Sequence, residues 1–360
     1  MEFRVWSDFA KLRQNDFDNA VSKLHHVVTT RLLLLFTVLT ALYVCPEDDP
    51  VMGGIFGGSL AKPIVCMAHG QEAHPAILNY CWVTSAYTLE SELNKKPGPV
   101  GDEEPIFQAF YQWVPFMLLL QAMLFYAPHY FWQNALRNHR LDKVIEASMG
   151  RTEVAKSVAK FISTSLGRHR SVFLAIIVKE ILSLAVVGAN IYFTDVFLGG
   201  QFTTYGIEVL KLIDSDGTNR TDPMIKRFPR VTKCTWHSYG PSGTIKKEDY
   251  MCLLSINMMS EKIYIFLWFW FLLLALVSVA HLCKRLIEIL FARFRTSQLV
   301  STIGNGSSKN YVTFICKRGN IGDWFLLREI MRNVHSVRYD FILSQIVANI
   351  KREERLIERM

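Results

Sequence analysis

The chain has 360 residues, 50% of them hydrophobic and 20% charged, with a mean hydropathy of +0.17. That balance excludes a disordered chain and is unusual for a soluble enzyme. A net charge of +8 and a pI near 9.1 would suit a nucleic-acid binder, but the cations sort by loop rather than onto one face, so membrane topology accounts for them and no nucleic-acid partner is expected.

Residues 1–26 carry Phe3, Trp6, Phe9 or Ala10, Arg13 and Phe17 at helical spacing, which predicts an amphipathic segment suited to lying on the inner leaflet. The first apolar block, 27–44, has one charge, Arg31, placed to snorkel to the headgroups. Its uncharged part, Leu32 to Val44, also has the length of a signal-peptide core. The long preceding segment with Glu2, Asp8, Asp16 and Asp18, and the lack of a small-x-small site after Leu42, favour a retained span.

A loop follows at 45–105, where residues 53–58 (Gly-Gly-Ile-Phe-Gly-Gly) read as a flexible stretch, lacking the Lys-Ser/Thr of a phosphate loop. The second block, 106–132, is uncharged with aromatic residues at both ends, as at membrane interfaces. Pro115 is expected to bend that helix in its outer third, either as a packing kink or to widen a bundle mouth. After a basic loop at 133–170 comes the third block, 171–194, where adjacent Lys179 and Glu180 point about 100° apart and so need separate partners or water. A loop at 195–262 leads to the fourth block, 263–282, uncharged and strongly aromatic. The tail, 283–360, repeats apolar residues every three to four positions from Trp324 to Ile346, with Asp323 placed to cap, which predicts a packed helix.

Counting Lys plus Arg against Asp plus Glu gives 4 and 4 before the first block, 3 and 9 in residues 45–105, 8 and 3 in 133–170, 8 and 8 in 195–261, and 14 and 7 after residue 282. By the positive-inside rule both termini and the middle loop are cytoplasmic, and the other two loops lie outside a plasma membrane. Four of the seven cysteines, Cys66, Cys81, Cys234 and Cys252, fall two by two in those outer loops, where disulfides are the default, and Cys45, Cys283 and Cys316 are left as thiols. Cys66, His69, His74 and Cys81 are metal-ligand types in one stretch, but their spacing is no recognised zinc motif. No metal or cofactor is expected, and the absence of a nucleophile elbow or a zinc-protease motif leaves nothing to support an enzyme.

The fold class is therefore a mainly α integral membrane protein with four spans and a helical cytoplasmic tail. Phe110, Tyr111, Gln112, Trp113, Val114 and Pro115 are similar to the Tyr-Tyr-Gln-Trp-Val signature of innexins, the gap-junction proteins of invertebrates, with Phe in place of the first Tyr. Further blocks resemble the family: Asn79 to Trp82, Ile191 through Gly200, Phe228 to Thr235, Tyr239 to Ile245, Glu261 to Trp270, and Gly322 to Leu327. The resemblance covers about residues 20–350. It is weakest at 47–60, which is longer and richer in glycine than the family stretch.

The resemblance implies a subunit that assembles into a homo- or hetero-oligomeric ring, built of eight in at least one family case, around a wide aqueous pore for ions and small metabolites. The ring would dock through its outer loops with another on the next cell, or act undocked as a hemichannel. It also implies loop disulfides pairing Cys66 with Cys252 and Cys81 with Cys234, and an N-terminal segment folded into the pore mouth with Phe3, Trp6, Arg13 and Arg31 as candidate lining residues. Asn219-Arg220-Thr221 is the one outer glycosylation sequon, since Asn305-Gly306-Ser307 is cytoplasmic in this topology.

Overall fold

The computed structural model describes residues 18–44, 62–68, 70–84, 86–89, 106–138, 144, 147–148, 152–213, 223–302 and 306–359. Phe3, Trp6, Arg13, Cys45, residues 53–58, His69 and Asn219 lie outside the described residues.

Among the described residues, four helices, Ala20–Leu42, Phe110–Leu136, Arg170–Phe197 and Ser255–Leu290, are long and apolar enough to cross a membrane. About 20 residues at 1.5 Å each suffice for a 30 Å hydrocarbon core. Each helix outruns or departs from its apolar block for a local reason. The fourth grows to 36 residues because the polar groups flanking its apolar centre, Glu261 and Arg285, find partners within the protein. The first begins at Ala20 and contains a six-residue π-helical stretch, Leu24–Thr29. In the second block, Ile106–Gln108 is a strand and Phe110–Trp113 a 3₁₀ turn, so the α-helix starts only at Val114. Pro115 then sits in the first turn, where its missing N–H has no intrahelical acceptor to lose. The bend expected at Pro115 has no basis there; the proline inside the helix is Pro128.

The chain divides into two compact units, and each long helix contributes residues to both. One unit (residues 27–125 and 186–275) holds a six-stranded antiparallel sheet of order β2-β1-β6-β5-β3-β4. Its strands are β1 (Ile64–Ala68), β2 (Gln71–Glu72), β3 (Ala86–Thr88), β4 (Ile106–Gln108), β5 (Val231–Tyr239) and β6 (Ile245–Leu254). The centre is the β5–β6 hairpin, in register from Val231 opposite Leu253 to Tyr239 opposite Ile245. Alternate residues Thr232 and Cys234 on β5, and Tyr250, Cys252 and Leu254 on β6, turn inward, as the two-residue period of a strand requires. Gly243 closes the hairpin at φ +78°, a conformation that costs a side chain dearly.

The other unit (residues 1–26, 126–185 and 276–360) has a helical core. The apolar run from Trp324 forms two helices rather than one, Ile321–Asn333 and Ser336–Ile357, divided at Val334 and His335, both of extended backbone. Ala155, Val158, Ala159 and Ile162, one stripe of Thr152–Thr164, share a core with Ile342, Leu343, Ile346 and Val347. Asp323 caps as expected: its Oδ2 accepts from the backbone N–H of Asn320 at 2.7 Å and of Gly167 at 2.9 Å. Gly322 cannot be replaced, since a Cβ there would stand 2.1 Å from the His169 carbonyl oxygen.

Candidate functional site

Among the described residues two disulfides form, Cys66–Cys252 and Cys81–Cys234. Cys66 faces Cys252 directly across the β1–β6 ladder, while Cys81 reaches β5 from the short helix Pro75–Val83. Strands and cysteines of one segment thus interleave with those of another 153–186 residues away. All four cysteines are essentially buried, in a small core with Tyr111, Tyr250 and Leu254. His74 caps the Pro75–Val83 helix by accepting from the Ala76 N–H at 3.3 Å, so the cysteines and His74 of the stretch considered for zinc have structural roles.

The signature residues hold that platform. Tyr111 donates its hydroxyl to the Trp82 carbonyl at 3.1 Å and sets its ring 4.8 Å from the Trp82 indole. Gln112 donates its amide N–H to the same carbonyl. Both grip the residue next to Cys81. Pro115 is buried in the helix's first turn, whereas Trp113 is 60% exposed. Below the hairpin, Arg230 forks onto the fully buried carboxylate of Glu261 at 3.0–3.1 Å, and Asn257 donates to the Pro229 carbonyl at 2.9 Å. Gly206 lies against Trp268, where a Cβ would be 2.2 Å from the indole.

The second unit contains a buried ionic network that sequence reading saw only as isolated charges. Glu180 accepts from Arg285 Nε at 2.9 Å and lies 3.0 Å from His281 Nε2. Arg285 also donates to Glu288 at 2.6 Å, and Arg328 bridges Glu288 and Glu329 at 3.4 Å. Lys179 pairs with Asp18 instead, so the 100° divergence of Lys179 and Glu180 is resolved by two separate partners. Arg31 is exposed, and Asn190 donates to the Val186 carbonyl within its own helix. The signal for the network was available as Arg285 three residues before Glu288; what paired them with Glu180, 105 residues away, was not.

Cys283 and Cys316 are free thiols, the first exposed and the second half-buried, where burial pushes its thiol up to about 11. With the thiolate as the reactive form, Cys316 holds about a hundredth of the thiolate of an ordinary cysteine at neutral pH. Alkylation of the native protein followed by mass spectrometry is expected to label Cys283 well before Cys316; equal rates would contradict the described packing.

The innexin family model matches residues 18–350. The chain is 32% identical over 362 residues to Innexin inx2 of Drosophila melanogaster, covering 96% of this chain and 94% of that protein. It is 31% identical over 361 residues to Innexin inx3 of the same species, covering 94% and 87%, and 31% identical over 364 residues to Innexin shaking-B, covering 96% and 93%.

Proposed function

The chain belongs to the innexin family of gap-junction channel proteins, and on that premise we propose that it is the four-span subunit of an oligomeric ring around a wide aqueous pore for ions and small metabolites, docked with a ring on the adjacent cell. The observation that carries this reading is the sheet built from two distant segments and locked by Cys66–Cys252 and Cys81–Cys234. A rigid platform loses little conformational freedom when it meets another, so more of the contact energy remains as affinity. Support for a ring comes from the spans, of which only 28–39% is buried within the chain. Their remaining apolar faces are left for neighbouring subunits and lipid.

The division of the chain matches the charge asymmetry: residues 1–26, 126–185 and 276–360 form one unit, and the segments with the disulfide-bonded Cys66, Cys81, Cys234 and Cys252 belong to the other. We place both termini and residues 133–170 in the cytoplasm and the loops 45–105 and 195–262 outside. Tags at Met1 and Met360 are expected to resist protease on intact cells while one near Lys96 is cleaved; an accessible Met1 tag would reverse the orientation.

The central experiment is conductance between paired cells expressing the chain, beside dye uptake by single cells. Coupling supports the junction; uptake without coupling supports the undocked hemichannel. Asn219 refines the comparison. A glycan that points sideways leaves docking intact, and parent and Asn219→Gln should couple equally; a glycosylated parent that couples only after the substitution would make the chain a hemichannel in its native form.

A further inference from the structure

At the start of the first long helix, three side chains from separate stretches converge. Asp18 precedes the helix, His26 lies in its π-helical stretch, and His129 comes from the helix Val114–Asn138. Their ligand-type atoms all lie within 4.8 Å of one another. His26 Nε2 is 3.4 Å and His129 Nδ1 3.0 Å from the same oxygen, Asp18 Oδ2. The other oxygen, Oδ1, is held by the ammonium of Lys179 and by the Ser22 hydroxyl at 3.3 Å. The side chains of Asp18, His26 and His129 are 10%, 10% and 14% exposed, enclosed yet open to a small ion.

The tautomer of His26 follows from its other contact. Nδ1 is 2.6 Å from the Ser22 carbonyl oxygen, which can only accept, so Nδ1 carries the proton. In the neutral ring Nε2 then presents a lone pair to a carboxylate oxygen, an arrangement that either a proton on Nε2 or a metal ion between the two makes favourable. His129 Nδ1 is buried and stands 3.0 Å from that same oxygen. The two imidazoles stack at 3.8 Å and 7°. In the metal-free site His129 as its neutral Nδ1–H tautomer and His26 as an imidazolium can both donate to Oδ2, with one cation stacked on the second ring; a divalent ion takes both nitrogens with both rings neutral. One divalent ion answers both nitrogens and the oxygen.

We propose that Asp18, His26 and His129 form a binding site for a divalent transition-metal ion of the zinc class, with Asp18 Oδ2, His26 Nε2 and His129 Nδ1 as ligands and water completing the set. Bonds of about 2.0–2.2 Å to a tetrahedral ion place neighbouring ligand atoms about 3.4 Å apart, close to the 3.0 and 3.4 Å found here. The Nδ1–H of His26 on the Ser22 carbonyl is the supporting hydrogen bond that metal-ligating histidines use to fix their lone pair. The stacked rings must turn about their Cβ–Cγ bonds for both lone pairs to converge, and one-turn π stretches in helices recur at functional sites. Lys179 neutralises Oδ1 and repels a second cation, so it weakens the site. The ion would brace the start of the first helix at Asp18.

The test uses the full chain, purified with its affinity tag removed, in a background of Cys45→Ser, Cys283→Ser and Cys316→Ser so that no free thiol competes. Titration with Co²⁺ alone is expected to give the visible absorption of a four-coordinate ion at one equivalent, displaced by Zn²⁺. His26→Phe and His129→Gln should each weaken binding at least about a hundredfold, and Lys179→Met should tighten it about tenfold. Unchanged disulfides and elution volume confirm that the variants are folded. Absence of stoichiometric binding by the parent, or parent-like affinity in either histidine variant, overturns the site. The binding measurement needs no pore, so its failure is separate from any failure of the channel reading.

Discussion

Replacing one cysteine of either pair, Cys252→Ser or Cys234→Ser, is expected to abolish coupling between paired cells and to remove much of the protein from the cell surface. The loops closed by these bonds span 186 and 153 residues, and losing such a cross-link from a loop-rich region costs on the order of 2 to 5 kcal/mol. The Cys66–Cys252 bond matters for a further reason. β1 is held by a four-pair ladder to β6 and by the two-residue β2, so without the bond this edge of the sheet rests on few contacts. Cys81 carries the helix that Tyr111 and Gln112 grip through Trp82, so its loss frees the signature residues as well. Non-reducing peptide mapping of the parent checks the premise. A Cys66–Cys81 peptide, or full coupling by the Cys252→Ser variant, would sink the idea that the two-segment platform is what docks.

Arg285→Met should be the most damaging single change away from the disulfides. The guanidinium is 3% exposed and lies between Glu180, 8% exposed, and Glu288, 2% exposed. Removing it strands two buried carboxylates, with His281 left beside one and Arg328 beside the other. Breaking a buried ion pair in this way costs about 3–5 kcal/mol, because the remaining charge keeps its desolvation penalty without its partner. Arg285→Lys should recover part of the loss, since an ammonium keeps the charge but cannot bridge both carboxylates with a planar fork. Arg285→Met combined with Glu180→Gln should be less damaging than Arg285→Met alone, because one stranded charge is gone. Thermal unfolding of the detergent-solubilised protein, followed by size-exclusion fluorescence, ranks the four proteins; a parent-like midpoint for Arg285→Met would show that the network contributes little.

What the residues reveal on their own is set by local physics. Four apolar blocks, their order, and the charge asymmetry between loops need no knowledge of contacts, because the bilayer acts on each segment separately. The cap at Asp323 is likewise local, whereas the hairpin of Val231–Tyr239 and Ile245–Leu254 was read only as part of a loop. Cys66, Cys81, Cys234 and Cys252 could be sorted into one oxidising compartment by position, yet their pairing came only with the family resemblance, since four cysteines admit three pairings.

Only the tertiary structure decided the rest, because it depends on which distant atoms meet. Ile106–Gln108 looked like the start of a span and is the strand β4, since its ladder with β3 satisfies the backbone there. Pro115 looked like a kink and is a helix start, because a 3₁₀ turn precedes it. Lys179 and Glu180 looked like two stray charges in an apolar block; Asp18 and Arg285, from opposite ends of the chain, make them buried ion pairs. His26 and His129 carried no motif at all, being 103 residues apart, and became a candidate site only when the fold brought both onto one oxygen of Asp18. Periodicity and composition report on a residue's own segment, whereas charge pairing and ligand geometry are properties of contacts between segments that the sequence lists without saying which will meet.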